Sequence, residues 1–318
     1  MKALPYETEK EWHALRADDV TSTESAALFG LSPYCSDFEL WHRKKGNVTI
    51  AFEENQRMKW GRRFEDAIAL GFGEDMDLTV YPMKDYYVHD KEPNMGCSCD
   101  YEALSGNKKI GLEIKHVDYL VYRDQWTDDE APPHIEVQVQ HQMEVMGWEF
   151  CYIVALVGGN DLKVIKRARD HAMGENIRQA IRQFWIGVIQ DNPPEPDFDN
   201  DADFIISLQQ KCGGGVLQDE RFAYDFQGYD KAKARAKTAD DIKKSIKARI
   251  LMDVGEQYSK VEAGGFRLTC GVTKGSEGTE VTQDMVGTFI NVRKPFRQFI
   301  LNKMGAKKAL TKEGEQDG

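Results

Sequence analysis

The sequence predicts an α/β fold in which a central mixed β-sheet is flanked by helices. A β-hairpin is predicted over residues 97–117, where two strand-like runs flank a polar turn. The continuous apolar run Phe150–Val157 predicts a buried strand, and Leu162–Lys166 is its predicted antiparallel neighbour. Apolar residues recur with helical spacing over residues 56–72 and 135–147, and this pattern predicts two amphipathic helices.

Shorter elements complete the predicted core. In chain order they are a helix over Thr8–Leu15, a helix over ESAALFG after the hydroxyl residues Thr21, Ser22 and Thr23, a helix over Ser36–Lys45, a strand pair over Leu78–Val88, an irregular acidic loop over Arg123–Pro133 and a helix over Asp170–Gln190. A helix N-terminus beside hydroxyl residues is a natural phosphate seat. Plain capping of the helix is the favoured interpretation of the same residues.

A domain boundary is predicted in the segment DNPPEPDFDNDAD, because its three prolines and six acidic residues break a helix and resist burial. The predicted core spans residues 1–195, and a mostly helical extension spans residues 196–318. The predicted elements of the extension are a long basic helix over Lys231–Tyr258, a strand over Phe266–Thr273 and an apolar and basic stretch over Val286–Leu301. The basic helix either follows DNA phosphates or is a solvated face.

Composition indicates a globular chain without a membrane span. The 318 residues are 41% hydrophobic, which is enough for a sizeable core. No apolar run reaches the length of a membrane span and the N-terminus lacks an apolar signal segment, so a cytoplasmic location is expected. The six cysteines form no zinc-type CxxC pair and are expected to be reduced thiols. A net charge of −11 still permits a local basic channel.

The predicted hairpin brings charged side chains together. If Gly106 and Asn107 form a two-residue turn, Ser105 faces Lys108, and counting outward places Asp100 opposite Glu113. Side chains alternate along a strand, so Lys115 shares a face with Glu113, and Ser98 shares a face with Asp100. Opposed carboxylates repel each other, and a bound Mg²⁺ is the usual way to neutralise them. An exposed ion-pair ladder is the more frequent explanation of a Glu-x-Lys strand taken alone.

An aspartate followed across a hairpin by Glu-x-Lys is the arrangement of a metal-dependent phosphodiesterase. Asp100 and Glu113 would hold the ion, which polarises the scissile phosphate and acidifies a bound water. Lys115 would orient that water and offset the developing negative charge. The pattern therefore predicts a nuclease site at the hairpin.

Several short motifs occur in a fixed order over residues 16–166. They are ESAALFGLSPY with ELWHRKKG, then WGRRFED, CSCDY, LEIK and EVQVQHQM. In this order they resemble the phage lambda exonuclease and YqaJ-type viral recombinase family of the PD-(D/E)xK nuclease superfamily. Cys99 stands where the family usually has a proline before the aspartate. The segment beyond Asp203 lies outside this resemblance.

The resemblance implies roles for individual residues. The implied catalytic residues are Glu65, Asp100, Glu113, Lys115 and Gln138. Asp100 and Glu113 would bind metal, with Glu65 supporting a second ion or its water. The residues that fall where the family's exonucleases hold the 5′-phosphate of the DNA are Arg16, Thr23 and Ser98.

The resemblance also implies a fold and an activity. The fold would be a PD-(D/E)xK restriction-endonuclease-like core. The activity would be Mg²⁺-dependent exonuclease action on double-stranded DNA ends from the 5′ end, leaving 3′ single-stranded tails for annealing recombination. Mn²⁺ is an alternative ion, because oxygen ligands suit both metals. A ring-shaped homotrimer, a single-strand annealing protein as partner and a phage or prophage origin are implied as well.

Three alternatives remain open. A PD-(D/E)xK endonuclease of restriction or repair type would cut a closed circle, whereas an exonuclease needs an end. The iron–sulfur branch of the superfamily needs a cysteine cluster, and Cys212 and Cys270 stand apart. A non-catalytic DNA-binding recombination accessory would have no physical reason to keep its carboxylates opposed. The extension could serve oligomerisation, DNA binding or partner binding.

Overall fold

The computed structural model describes the chain over residues 1–48, 55–106, 108–208, 214–264 and 266–270. Cys212 and the predicted stretch Val286–Leu301 therefore lie outside the described residues. Contacts divide the chain into two units, Met1–Leu208 and Gln209–Gly318. The predicted domain limit after residue 195 stays a prediction.

The first unit alternates strands and helices. Its strands are β1 Lys2–Leu4, β2 Val20–Thr21, β3 Thr79–Pro82, β4 Tyr86–Val88, β5 Met95–Cys97, β6 Tyr101–Ser105, β7 Lys108–Val117, β8 Phe150–Val157 and β9 Asp161–Ala168. Its helices are α1 Glu9–Ala17, α2 Asp37–Lys44, α3 Gln56–Met76, α4 Tyr119–Gln125, α5 Pro133–Met146, α6 His171–Ile189 and α7 Ala202–Leu208, with a short 3₁₀ helix at Ser25–Phe29.

The central sheet has the strand order β3-β6-β7-β8-β9. Strands β7 and β8 run parallel, and the other neighbours are antiparallel, so the sheet is mixed. Strand β7 lies in its middle, as predicted. The predicted register of the hairpin is confirmed, because Ser105 pairs with Lys108 and Tyr101 pairs with Leu112. The α/β class with a central mixed sheet is therefore confirmed.

A second, smaller sheet has the order β1-β4-β5-β2, with β2 and β5 parallel. Two predictions are wrong here. Strands β3 and β4 do not pair with each other, because β3 joins the central sheet and β4 the small one. The predicted strand over residues 97–104 is likewise divided. Strand β5 ends at Cys97 in the small sheet, and β6 begins at Tyr101 in the central sheet. The three residues between them cross from one sheet to the other.

Helices cover both faces of the central sheet, as the amphipathic patterns predicted. On one face Ile68 and Phe72 of α3 pack against Leu112. On the other face Val139 of α5 and Ile177 of α6 pack in a separate core. These two cores fix the distance of α3 and α5 from β7, which lies between them.

Helix α4 corrects the prediction of an irregular loop from Arg123 onward. The carboxylate of Asp118 accepts a hydrogen bond of 2.9 Å from the backbone N–H of Leu120 and caps the helix. Acidic residues follow α4 directly, and its seven residues are too few for a clear apolar period. The sequence pattern therefore did not predict this helix.

The described residues of the second unit include one long helix and a hairpin. Helix α8 spans Ala223–Val254, so it begins earlier and ends earlier than predicted. Its apolar residues Ile242, Ile246 and Ile250 are exposed, like the rest of its surface. Strand β11 (Phe266–Thr269) pairs with β10 (Lys260–Ala263), which the sequence analysis missed. Across the described ranges, no helix is both long and apolar enough to cross a bilayer.

Candidate active site

The hairpin carboxylates meet at the point where the chain changes sheet. Because Tyr101 pairs with Leu112, Asp100 lies one residue further along, opposite Glu113. The Asp100 carboxylate accepts a hydrogen bond of 2.8 Å from the backbone N–H of Ile114. This bond holds the carboxylate beside β7, although Asp100 itself lies outside any strand. The predicted opposition of the two acids therefore survives the division of the predicted strand.

Glu113 is almost completely buried, with 2% of its surface exposed. Its carboxylate accepts hydrogen bonds from Gln138 Nε2 at 2.6 Å and from Gln142 Nε2 at 2.7 Å. Lys115 Nζ donates to the same group. A buried carboxylate is stable only when its oxygens have donors, and these three side chains supply them.

Helix α5 presents its glutamines to this carboxylate. Gln138 and Gln142 are four residues apart, so they lie on one face of the helix. Both are buried, with 7% and 1% of their surfaces exposed. This face of the helix is therefore turned toward the site and away from solvent. Gln140 points elsewhere, because its side chain bonds the backbone of Ala168 and Asp170.

The site holds an excess of negative charge. Burial, followed by the charge of Glu113, raises the pKa of Asp100 well above its ordinary value. Burial alone would lower the pKa of Lys115, but Glu113 and Asp100 together outweigh it and raise that pKa. Lys115 is therefore a cation at neutral pH, and its Nζ also lies 3.5 Å from Gln138 Oε1.

Glu65 approaches the site from helix α3 on the other face of the sheet. The ring of Phe64 lies 4.9 Å from that of His116, which shows that α3 crosses over β7 at this level. Burial and then the charge of Glu113 raise the pKa of Glu65, while Lys115 opposes that rise. The charges of Glu65, Asp100, Glu113 and Lys115 therefore act on one another, while contacts join Asp100, Glu113, Lys115 and Gln138 around β7.

The three predicted phosphate-binding residues also lie close together, and Trp12 joins them. Trp12 Nε1 donates a hydrogen bond of 2.9 Å to Ser98 Oγ. The guanidinium carbon of Arg16 lies 4.0 Å from the centroid of a Trp12 ring. Arg16 Nη2 is 3.4 Å from Thr23 Oγ1. Because Ser98 Oγ accepts from Trp12, its own hydrogen is left to donate to an anion.

The favoured interpretation of the hydroxyl residues before ESAALFG, plain capping of a helix, is wrong, because the N-cap position is Glu24 and no side chain caps the segment. The segment is a 3₁₀ helix of five residues. The Glu24 carboxylate accepts hydrogen bonds from the backbone N–H and hydroxyl of Thr21 and pairs with Lys44 at 2.9 Å. Thr21 and Ser22 are buried. Thr23 alone of the three hydroxyl residues faces solvent beside Arg16.

Two functional neighbours were missed by the sequence analysis. Gln142 lies four residues after Gln138, and this spacing places it on the same helix face. Trp12 precedes Arg16 by one helical turn. The spacing identifies the helix face in both cases, whereas the contact with Ser98 depends on the tertiary structure.

An aromatic pair lies near enough to Lys115 for electrostatic interaction with it. The rings of Tyr34 and His134 lie 5.7 Å apart, edge to face. Burial and then the charge of Lys115 lower the pKa of His134. His134 precedes Gln138 by one turn of α5, so it lies on the side of the helix that faces the site.

The oxygen ligands of this site fit a hard cation. Mg²⁺ usually keeps several waters and binds through one or two carboxylates together with substrate phosphates. Asp100 and Glu113 supply two carboxylates, and the raised pKa of Asp100 marks negative charge that a cation would relieve. The described part of the chain holds no group of three or more His, Cys, Asp or Glu side chains arranged as a metal site. An ion here would complete its ligands with water and substrate.

Helix α5 also anchors the β5 side of the crossing. His141 is buried, and its Nε2 lies 3.0 Å from the carbonyl oxygen of Gly96, to which it donates when neutral. Burial lowers the pKa of His141 to about 3. The hydrogen bond to Gly96 and the charge of Glu24 oppose this shift less strongly, and the charge of His89 adds to it.

Acid is therefore expected to destabilise the fold through His141. The unfolded chain binds a proton at this residue below about pH 6.5, whereas the folded chain does not until far lower pH. Its contribution to stability is full above pH 6.5 and is lost as pH falls. Between pH 7 and pH 5 the loss should be about 2 kcal/mol. Urea unfolding at both pH values measures it, and a His141→Gln variant with the same pH dependence would contradict the assignment.

Comparison with known proteins finds similarity to one family over part of the chain. Residues 11–149 match the model of the YqaJ-like viral recombinase domain. The chain is 28% identical over 177 residues to the YqaJ protein of Bacillus subtilis (strain 168), which covers 55% of this chain and 54% of that protein. The chain thus spans about half the length of this curated relative. The predicted resemblance to YqaJ-type proteins is confirmed.

Two solved structures match part of this chain at low identity. The alkaline exonuclease LHK-Exo from Laribacter hongkongensis matches with a TM-score of 0.46 and 19% identity, over 57% of this chain and 93% of that chain. The phage-related exonuclease from Haemophilus somnus 129PT matches with a TM-score of 0.39 and 12% identity, over 54% and 96%.

Proposed function

Because residues 11–149 match the model of the YqaJ-like viral recombinase domain, we propose that this protein is a Mg²⁺-dependent exonuclease on double-stranded DNA ends. It would degrade one strand from the 5′ end and leave a 3′ single-stranded tail for annealing recombination. The observation that carries the proposal is the short link between two clusters. Ser98 belongs to the phosphate pocket, formed by Arg16, Thr23 and Ser98. Asp100 belongs to the hydrolytic cluster, which consists of Glu65, Asp100, Glu113, Lys115 and Gln138. One residue separates Ser98 from Asp100.

Each residue has a physical task in the proposed reaction. Arg16, Thr23 and Ser98 form a pocket of donors for a terminal phosphate, because guanidinium and hydroxyl groups bind phosphate oxygens. An end held there places the adjoining strand over Asp100. The direction of strand degradation, from the 5′ end, then follows from the position of the pocket relative to the carboxylates.

The hydrolytic cluster prepares the attack on the phosphodiester. Asp100 and Glu113 would hold Mg²⁺, with Glu65 near a second ion or its water; Mn²⁺ is the alternative ion. When bound, the ion would supply Lewis-acid polarisation of the phosphate and would acidify a water. Lys115 stabilises the developing negative charge, and Gln138 holds Glu113 and Lys115 in fixed positions.

The proposal extends to assembly and context. A homotrimeric ring would place the basic surface inside while the acidic exterior accounts for the net charge of −11. A single-strand annealing protein would receive the product strand. The proposed setting is the cytoplasm of a bacterial host, with the gene carried by a phage or prophage.

The test is digestion of linear duplexes labelled at one 5′ end or one 3′ end, with Mg²⁺ or with EDTA. We expect early release of the 5′ label, retention of the 3′ label and no digestion in EDTA. A covalently closed plasmid should stay intact. Cutting of the closed circle would instead support an endonuclease, and no digestion of any substrate would support a non-catalytic DNA-binding accessory.

A further inference from the structure

Gln142 connects the two clusters of the site through a single nitrogen atom. Its Nε2 lies 2.7 Å from Glu113 Oε2 and 3.2 Å from the backbone carbonyl oxygen of Ser98. An amide nitrogen has two hydrogens, so both are used, one on each cluster. The residue is 1% exposed. A substrate therefore has no route to touch it, and any effect it has must pass through its two partners.

The two partners of Gln142 belong to different parts of the fold. Glu113 lies on β7 of the central sheet. Ser98 lies in the three-residue crossing between β5 and β6, where no strand pairing fixes the backbone. Helix α5 also contacts strand β5 just before this crossing, through His141 and the carbonyl oxygen of Gly96. The crossing carries a residue of each cluster, Ser98 and Asp100, so its position relative to Glu113 sets the distance between pocket and carboxylates.

We propose that Gln142 is a positioning residue that couples recognition of the 5′-phosphate to hydrolysis. This inference rests on the proposed function and adds to it. Gln142 Nε2 donates to both Ser98 O and Glu113 Oε2. It therefore keeps the phosphate pocket at a fixed distance from the hydrolytic cluster. Gln138 differs, because its contacts are with Glu113 and Lys115 of the hydrolytic cluster alone. Loss of Gln142 should therefore alter both rate and end preference, and loss of Gln138 should alter rate.

The test compares three methionine variants of the full chain on linear duplexes with 5′-phosphate or 5′-hydroxyl ends and Mg²⁺. Methionine keeps the unbranched length of glutamine without its donors. We expect Gln142→Met to lower kcat by roughly tenfold to hundredfold, the cost of a small misplacement of reacting groups. We also expect the kcat/KM ratio between phosphorylated and hydroxyl ends to fall about fivefold, the factor that one ordinary hydrogen bond contributes. Gln138→Met should lower kcat with an unchanged ratio.

Gln140→Met is the matched control. Gln140 lies on the same helix and also makes two hydrogen bonds, to Ala168 O at 3.0 Å and from Asp170 N at 2.9 Å, away from the site. It should keep wild-type kcat and end preference. Gln142→Asn keeps the amide but shortens its reach by one methylene, and it gives the same readout if the methionine variant does not fold.

The outcomes separate this inference from the proposed function. Wild-type protein that digests no linear duplex rejects the proposed function and this inference with it. An active wild type whose Gln142 variants keep the full end preference rejects the coupling role alone. The same change in Gln140→Met would also reject it, because the effect would then come from weakening helix α5.

Discussion

Replacement of Lys115 by alanine is expected to reduce DNA hydrolysis by about a thousandfold, the upper range for removal of one preorganised charge donor. Lys115 is the cation of the hydrolytic cluster, and its Nζ contacts Glu113 and lies 3.5 Å from Gln138. Without it, two carboxylates and the developing negative charge of the phosphate face one another with no positive side chain between them. Single-turnover digestion of a labelled duplex with Mg²⁺ measures the loss.

Binding of DNA ends should survive this substitution, because the phosphate pocket does not include Lys115. Fluorescence anisotropy in EDTA measures that binding without hydrolysis. Lys109→Ala is the matched control. Lys109 lies on the same strand, about 20 Å away at 3.3 Å per residue, and pairs with Glu102 at 2.9 Å. Normal turnover by Lys115→Ala, or an equal loss in Lys109→Ala, would reject the mechanism.

Replacement of Arg16 by alanine should weaken cleavage of 5′-phosphorylated ends by about tenfold to hundredfold, the range for a hydrogen bond to a charged group. Arg16 stacks on Trp12 and lies beside Thr23, so its guanidinium is held in place for an anion. Ends with a 5′-hydroxyl offer no anion to bind and should lose much less. The measurement is kcat/KM on the two kinds of end.

Two further variants sharpen the Arg16 experiment. Arg16→Lys keeps the charge but loses the planar fork of donors, so part of the preference should return. Lys10→Ala removes an exposed cation from the same helix and should affect both ends equally little. An equal loss on phosphorylated and hydroxyl ends in Arg16→Ala would show that the pocket assignment is wrong.

Local patterns were enough to predict most secondary-structure elements and the central pair of carboxylates. Strand β8 was predicted with its observed bounds because a continuous apolar run has one simple explanation. The hairpin register was predicted because a short turn fixes the pairing of the residues that follow it. Helix α4 was missed because seven residues are too few for a clear helical period.

The sequence by itself determined which residues face one another across the hairpin, because Asp100 and Glu113 are close along the chain and joined by a short turn. Only the tertiary structure decided what surrounds them. Trp12 and Ser98 are 86 residues apart, and Gln142 is 44 residues from Ser98 and 29 from Glu113. Contacts over such separations depend on how helices α1 and α5 pack on two different sheets. Residue spacing within one element carries no information about that packing.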